Sequence, residues 1–261
     1  MSAFILTCYF FVFLFGLITG SFLNVVIYRL EIGEKLGGRS YCPHCRQTLR
    51  WIDLIPVASF LLLGGKCGHC KGKISVEYPI VEILTGLVFI LIFNYQLPRF
   101  ELSLLTQAGI FYFLFSIFSF YIASSLIVIF IYDLKHYIIP DKVLIPSIAV
   151  TVIYQLIFQF NFFVFNSLPA ALAISFIFTA IFLLSRGKWM GFGDCKLVIL
   201  LGLILGYPLI FPGMFLSFLF GSIIGLGLMV LGKKGLKSEV PFAPFLIIGT
   251  ASALLFGDKI I

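Results

Sequence analysis

SSLIVIFIYDLKHYIIPD, at residues 124–141, places the acid Asp133 directly after an apolar run and before the turn-forming Pro140. A second stretch of the same kind, MGFGDCKLVILLGLIL at 190–205, places Asp194 after a glycine-rich turn and before the next apolar run. An ionisable side chain at or near membrane depth is costly and usually marks a functional site. The two acids therefore predict one shared acid–base site at the edge of a membrane-embedded helical core.

The composition indicates an integral membrane protein. Of the 261 residues, 61% are hydrophobic and only 11% are charged, which excludes an ordinary soluble domain. A helix needs roughly 20 apolar residues to cross the hydrocarbon layer. We predict an all-α, polytopic helical bundle of about eight spans in a lipid bilayer. The expected spans are 4–28, 79–97, 105–132, 143–160, 167–185, 195–211, 214–231 and 241–257.

The sixth and seventh expected spans are separated by YPLIFPG, which contains Pro208 and Pro212. Two prolines this close together also fit a segment that enters and leaves the membrane on the same side. The residues alone leave both arrangements open.

The distribution of Lys and Arg predicts the orientation, because cytoplasmic loops are enriched in these residues. With both termini outside, sixteen of the eighteen Lys and Arg residues lie on the cytoplasmic side, and only Arg99 and Lys259 lie on the other. This arrangement puts Asp133 and Asp194 at the cytoplasmic face. It also explains the net charge of +7 without nucleic-acid binding. The cytoplasmic cations are those of the 29–78 loop, with Lys135, Lys142, Arg186, Lys188, Lys196, Lys233, Lys234 and Lys237.

The 29–78 segment is the one substantial expected loop. It divides the chain into a first transmembrane helix at 1–28, a cytoplasmic loop at 29–78 and a polytopic membrane core at 79–261. The first helix lacks a basic start and a small-residue cleavage site, so we expect it to be retained.

Four of the six cysteines lie in this loop, as Cys42-Pro-His-Cys45 and Cys67-Gly-His-Cys70. Each Cys-x-x-Cys turn aims two sulfurs at one point, and two such turns complete a tetrahedral Zn²⁺ site. Four thiolates leave no open position, so the predicted zinc-ribbon-like site is structural. The reducing side of the membrane disfavours disulfides. Disulfides, a redox pair, another metal, and His44 or His69 as a ligand nevertheless remain open.

The acid pair suits hydrolysis. Two neighbouring carboxyl groups tend to share one proton; the ionised group can draw a proton from water while its protonated partner polarises a carbonyl. Gly191 and Gly193 would let the backbone approach closely. The residues alone leave open two independent helix-end acids, paired with Lys135 and Lys196. Asp141 is expected to cap the next helix.

Several strings together resemble the prepilin peptidases, the integral-membrane aspartyl proteases that process type IV prepilins and pseudopilins. They occur in the family's order, span nearly the whole chain and are highly specific in combination. Besides the two Cys-x-x-Cys pairs, they are GSFLNVVIYRL at 20–30, SVEYPIVEILTG at 75–86, DLKHYIIPD at 133–141, MGFGDCKL at 190–197 and PFAPFL at 241–246.

The resemblance implies a peptidase of the bacterial cytoplasmic membrane that cuts its precursor after the glycine ending a short basic leader. It implies that Asp133 and Asp194 are the catalytic acids, that Asp141 is not catalytic, and that Gly191 and Gly193 belong to the active-site motif. The zinc ligands it implies are Cys42, Cys45, Cys67 and Cys70.

Many members with such an insertion also methylate the new N-terminus with S-adenosylmethionine. The alternatives are a peptidase without this activity and, outside the family, a proton-coupled transporter or a non-enzymatic adaptor. Because Glu82 lies inside a span, we expect it to face the bundle or a polar partner such as Asn24 or Arg29. The implied candidates for methylation or for shaping the site are Gly20, Asn24, Glu77, Glu82 and Gly86, of which Gly20 and Gly86 fit close helix packing equally well.

Overall fold

The computed structural model describes residues 2–104, 109–230 and 240–257. Within these ranges the regular structure is helical, with isolated bridges at Tyr41–Thr48 and Lys66–Lys73 and no strand. The predicted all-α architecture is confirmed. The helices are α1 (Ser2–Glu31), α2 (Ala58–Leu62), α3 (Glu77–Leu104), α4 (Gly109–His136), α5 (Asp141–Phe158), α6 (Phe160–Phe162), α7 (Leu168–Ser185), α8 (Phe192–Leu205), α9 (Ile210–Val230) and α10 (Ala243–Phe256).

Six helical segments of the described chain are long and apolar enough to cross a membrane. Each of the eight predicted runs overlaps a helix, although residues 206–209 of the sixth run are not helical and residues 105–108 of the third lie outside the described residues. Helices α8 and α10 have only 14 residues each. At 1.5 Å per residue, such a helix is about 21 Å long, which is less than the ~30 Å of the hydrocarbon core. The six long segments are Ile5–Glu31, Glu77–Leu97, Ile110–His136, Asp141–Phe158, Phe160–Ser185 and Ile210–Val230.

The segment between the sixth and seventh predicted spans interrupts the helix. The chain breaks after Leu205 and resumes helix at Ile210, so Pro208 lies in the break and Pro212 inside α9. Among the predicted cytoplasmic cations, Lys233, Lys234 and Lys237 lie outside the described residues, as does Lys259 on the opposite side.

The chain forms two compact units, residues 1–128 and 129–261. In the first unit, α1 and α3 pack so closely that a Cβ atom on Gly20 would lie 2.7 Å from the Cα of Glu82. A Cβ on Gly16 would lie 2.6 Å from the Cα of Gly86, and one on Gly86 would lie 2.7 Å from the ring of Phe13. These approaches support the packing interpretation of Gly20 and Gly86.

In the second unit, the two short helices form the interior. Nine of the fourteen residues of α8 and seven of the fourteen of α10 are buried, against four of the twenty-one of α9. Close contacts hold them: a Cβ on Gly202 in α8 would lie 2.6 Å from the Cα of Ala171 in α7. Helix α8 is therefore surrounded by protein, and its first turn carries Asp194.

Candidate active site and metal centre

Asp133 lies in the last turn of α4 and is only 4% exposed. The helix stops there because Tyr137 adopts a left-handed conformation, with φ at 57°, and the chain then extends to Pro140. A carboxylate near a helix C-terminus meets an unfavourable dipole. One of its oxygens, Oδ2, is buried without a hydrogen-bond partner among the described residues. Asp133 is thus poorly placed for stability, as expected of a functional acid.

Asp194 lies in the first turn of α8, directly after the glycine-rich turn, and is 9% exposed. Its amide donates to the carbonyl of Gly191 at 3.2 Å. A Cβ on Gly193 would lie 3.2 Å from the Cβ of Ile139, which belongs to the segment after Asp133. The absence of a side chain at Gly193 therefore lets the two acid-bearing segments pack together.

The structure brings the two acids into one electrostatic environment. Burial, and then the charge of the nearby Asp133, raise the pKa of Asp194 above the usual carboxyl range. Two carboxyl groups coupled in this way favour a state in which one is protonated and the other is ionised. The arrangement can therefore supply an acid and a base together.

A third helix end contributes to the site. The backbone N–H of Ala243, the first residue of α10, hydrogen-bonds the Asp133 carboxyl group. Ala243 is fully buried, and an amide at a helix N-terminus favours negative charge. Sequence reasoning missed this contact. The available signal was PFAPFL at 241–246, in which Pro244 marks a helix start.

The alternative in which Lys196 pairs with Asp194 is wrong. Lys196 instead donates to both carboxylate oxygens of Asp141, at 2.6 and 2.7 Å, and its ammonium lies 5.2 Å from the ring centre of Phe192. The expected cap is also corrected: Pro140 is the N-cap of α5, and Asp141 is its first residue. The Asp141–Lys196 pair ties the start of α5 to the first turn of α8.

We expect Lys196→Gln and Asp141→Asn to lower peptide cleavage by less than about tenfold. The pair is partly exposed, with 28% and 51% of the side chains accessible, and exposed pairs contribute at most about 1 kcal/mol. Initial cleavage rates in membranes check this. A loss as complete as that of an Asp133 variant would show that Lys196 or Asp141 acts in the chemistry itself.

The four cysteines of the loop converge on one point. Their sulfur atoms all lie within 4.8 Å of one another, and Cys42 Sγ is 3.9 Å from Cys70 Sγ. A tetrahedral zinc–thiolate site with 2.3 Å bonds would separate its sulfurs by about 3.8 Å. The described residues place no histidine in this group, and all six cysteines are free. The geometry fits a four-thiolate metal site.

The two Cys-x-x-Cys turns have the same backbone geometry. The amide of Arg46 donates to the Cys42 carbonyl at 2.8 Å, and that of Lys71 donates to the Cys67 carbonyl at 3.0 Å. Both Arg46 and Lys71 adopt left-handed conformations. Backbone amides of Cys70 and then His69 lower the pKa of the Cys67 thiol to about 7. These amides favour the thiolate form of Cys67, which is the form that binds a metal.

The segment that carries the four cysteines buries few side chains. Between residues 32 and 76, the only buried side chains are those of Cys42 and Cys67. A segment of this length without an apolar core needs another source of stability, such as a metal. We call residues 40–74, which contain both cysteine turns, the metal module.

Comparison with known proteins identifies the family. Residues 14–96 match the model of the bacterial peptidase A24 N-terminal domain, and residues 120–226 match that of the type IV leader peptidase family. A Bacillus subtilis protein named prepilin leader peptidase/N-methyltransferase is 33% identical over 95% of this chain and 94% of its own. The chain belongs to the type IV leader peptidase family. Relatives of the same name from Aeromonas hydrophila and Pseudomonas aeruginosa are each 31% identical over 95% of this chain, and over 91% and 90% of theirs. No solved structure gives a significant match.

In this leader peptidase, the remaining candidate residues lie along α1 and α3 of the first unit. The side-chain amide of Asn24 donates to the carbonyl of Tyr78 at 3.0 Å. Gly20 and Gly86 lie in the helix interface. Glu77 is the first residue of α3, and its amide donates to Ser75 Oγ at 3.2 Å.

The partner expected for Glu82 is wrong. Its carboxylate accepts the backbone N–H of Val57 at 2.7 Å, whereas Arg29 donates to four loop carbonyls. Those carbonyls belong to Leu36, Gly37, Gly38 and Arg39. The buried side chains of Glu82 and Arg29 therefore each hydrogen-bond backbone groups of the loop and do not pair with each other. In this leader peptidase, Glu82 and Arg29 shape the segment that carries the cysteines.

Proposed function

We propose that this protein is a membrane aspartyl endopeptidase that removes the leader peptide from type IV prepilins or pseudopilins, after a glycine at the cytoplasmic face. We also propose that it methylates the new N-terminal residue with S-adenosylmethionine. The observation that carries the first proposal is the pair of buried, coupled carboxyl groups of Asp133 and Asp194 at a glycine-rich turn, in a chain of this family.

The mechanism uses the pair as one unit. The ionised carboxylate takes a proton from water, whose oxygen attacks the carbonyl carbon of the Gly–X bond, while the protonated carboxyl group donates to the carbonyl oxygen. Collapse of the tetrahedral intermediate breaks the C–N bond, and the amine leaves with a proton from the pair. The Ala243 amide holds Asp133 in place throughout. The precursor's apolar helix stays in the membrane with its leader at the cytoplasmic face.

Zn²⁺ is the metal that best fits the module, because four thiolates and no open position suit a structural zinc site. Cys42, Cys45, Cys67 and Cys70 would hold it. The methyl donor is a substrate of the second reaction. Gly20, Asn24, Glu77, Glu82 and Gly86 remain candidates for that reaction or for shaping its site.

The orientation and the segment division are also proposals. The excess of Lys and Arg on one side supports a cytoplasmic location for the site, in the inner membrane that the family implies. The division into 1–28, 29–78 and 79–261 describes where the metal module interrupts the helical core.

The decisive experiment incubates a candidate prepilin with membranes containing this protein, with and without S-adenosylmethionine, followed by intact-mass and N-terminal analysis. We expect loss of the leader in both reactions and one added methyl group only with the donor. Leader loss without methylation would leave a peptidase alone. If several prepilins remained uncleaved, the result would contradict the proposed peptidase activity and favour the transporter or adaptor alternative.

The cleavage rate should fall at high pH, because the acid pair must keep one proton. Because burial and Asp133 raise the pKa of Asp194, the shared proton is retained above the usual carboxyl range. Activity should therefore fall as the pH rises through this raised pKa, when both carboxyl groups become ionised. Initial rates across a pH series check the prediction, with Asp141→Asn as the control that keeps the same profile. A profile without an alkaline decline would contradict it.

A further inference from the structure

The segment WIDLIPVASFLL, residues 51–62, lies between the two cysteine turns and has a surface that neither metal binding nor peptide cleavage explains. Its large apolar side chains point outward: Trp51, Leu61 and Leu62 are 74%, 70% and 81% exposed. Ile52, Leu54 and Ile55 are also exposed. Large apolar side chains are less stable in water than in an apolar environment. We call residues 51–62 the apolar segment.

A hydrogen bond ties the apolar segment to the membrane-spanning part of α3. The Val57 amide donates to Glu82 at 2.7 Å, and Glu82 lies five residues inside the membrane-spanning stretch that begins at Glu77. At 1.5 Å per residue, this is about 7.5 Å along α3. Helix α1 also places Glu82 within a spanning stretch, because Gly20 packs on Glu82 and lies eleven residues, or about 16.5 Å, before Glu31 at the end of the first span. The segment therefore returns to the level of the spans.

The backbone of the apolar segment is suited to that depth, since backbone groups in lipid need partners within the protein. The amides of Ser59, Leu61 and Leu63 donate to Ile55, Val57 and Ser59 carbonyls at 3.0–3.1 Å. Val57 has a φ of 59°, which is strained for a β-branched residue. Its bond to Glu82 stabilises this conformation.

The charges beside the apolar segment also suit a membrane surface. Exposed Arg46 and Lys66 flank the apolar segment, whereas Arg50 pairs with Asp53 of the segment at 3.2 Å. The 29–78 loop carries eight Lys or Arg against four Asp or Glu. Basic residues beside a membrane attract anionic headgroups, and tryptophan favours the boundary between headgroups and acyl chains. Charge and apolar surface both fit the same occupant, an anionic lipid leaflet.

We propose that the apolar segment inserts its exposed side chains into the lipid leaflet around the start of α3. The metal module is then held on the membrane surface at two kinds of site, the Val57–Glu82 bond and the inserted side chains. This assignment does not depend on the peptidase activity.

Tryptophan fluorescence tests the insertion, because the chain has only two tryptophans, Trp51 and Trp189. The full-length Trp189→Phe variant, reconstituted in phosphatidylglycerol vesicles, reports on Trp51 alone. We expect lipids brominated near the headgroup end of the acyl chain to lower its emission about twofold or more, and aqueous iodide to have little effect. Quenching by iodide without bromine quenching would overturn the insertion. Protection from both quenchers would also overturn it, since protein would then cover the segment.

A second variant separates insertion from internal packing. With Trp189→Phe as background, Leu61→Glu with Leu62→Glu should weaken bromine quenching and strengthen iodide quenching, while the metal content per chain stays unchanged. Loss of the metal would show that these leucines pack within the metal module, and it would overturn the proposal. Unchanged quenching would also overturn it. Trp51→Phe and the variant lacking both tryptophans supply the matched controls for Trp189 and tyrosine emission.

Discussion

Asp133→Asn and Asp194→Asn should each lower prepilin cleavage by about 10³-fold or more, because each proton transfer by a placed side chain contributes roughly 10²–10⁴ in rate. Asparagine has nearly the shape of aspartate but can neither take nor deliver the shared proton. Both acids lie at helix ends, so the helices should still form and the protein should still accumulate in the membrane. Timed cleavage of a prepilin, with the enzyme amount measured in the same membranes, checks the effect.

The double variant sharpens this test. Residues that act as a unit have strongly non-additive effects, so Asp133→Asn with Asp194→Asn should cost about as much as the more severe single change. Asp141→Asn is the matched control, because it removes a carboxylate from the same segment and breaks only the pair with Lys196. Cleavage near the wild-type rate in either single variant would contradict the paired-acid mechanism.

Cys42→Ser and Cys67→Ser should each lose the bound metal and unfold the metal module. The four sulfurs lie within 4.8 Å, and residues 32–76 bury no other side chain than these two, so little apolar packing replaces the metal. Structural zinc sites contribute about 10–16 kcal/mol to folding. Metal content per chain and the rate of proteolysis within residues 33–74 are the measurements.

Cys8→Ser and Cys195→Ser are the controls for the metal prediction. Both cysteines are free and lie outside the group of four, so the metal content should be unchanged. A full complement of metal in Cys67→Ser would mean that another residue completes the site, and it would contradict a four-cysteine centre.

Helix positions were predictable because every helix that crosses a membrane needs a long run of apolar residues. Backbone groups in lipid must be hydrogen-bonded within the protein, so a long apolar run favours a helix, and each of the eight predicted runs overlaps one within the described residues. The number of crossings was less predictable, because α8 and α10 have only 14 residues each. A 14-residue helix buried among other helices and one end of a true span have the same local composition. Pro212 did not decide between a break and a span either, because proline is tolerated in the first turn of a helix and lies there in α9.

Side-chain partners were the weakest predictions. Lys196 was assigned to Asp194 in one alternative and bonds to Asp141; Glu82 was assigned to Asn24 or Arg29 and bonds to the Val57 amide. Each observed partner lies more than twenty residues away along the chain. No periodicity in a helix reports such a contact, because the packing of different elements decides it.

The sequence by itself determined the helical membrane class, the two acids with their glycine-rich turn, the two cysteine pairs and the family. These are properties of residue type and short spacing. Only the tertiary structure decided that Asp133 lies near enough to raise the pKa of Asp194 and that the Ala243 amide hydrogen-bonds Asp133, because 60 residues lie between the two acids and α10 follows later still. The same holds for the convergence of the four sulfurs and for the hydrogen bond between Val57 and Glu82. Contacts over such separations depend on close approaches between helices, as at Gly202 and Gly20, and packing of this kind is a three-dimensional property that residue order alone does not specify.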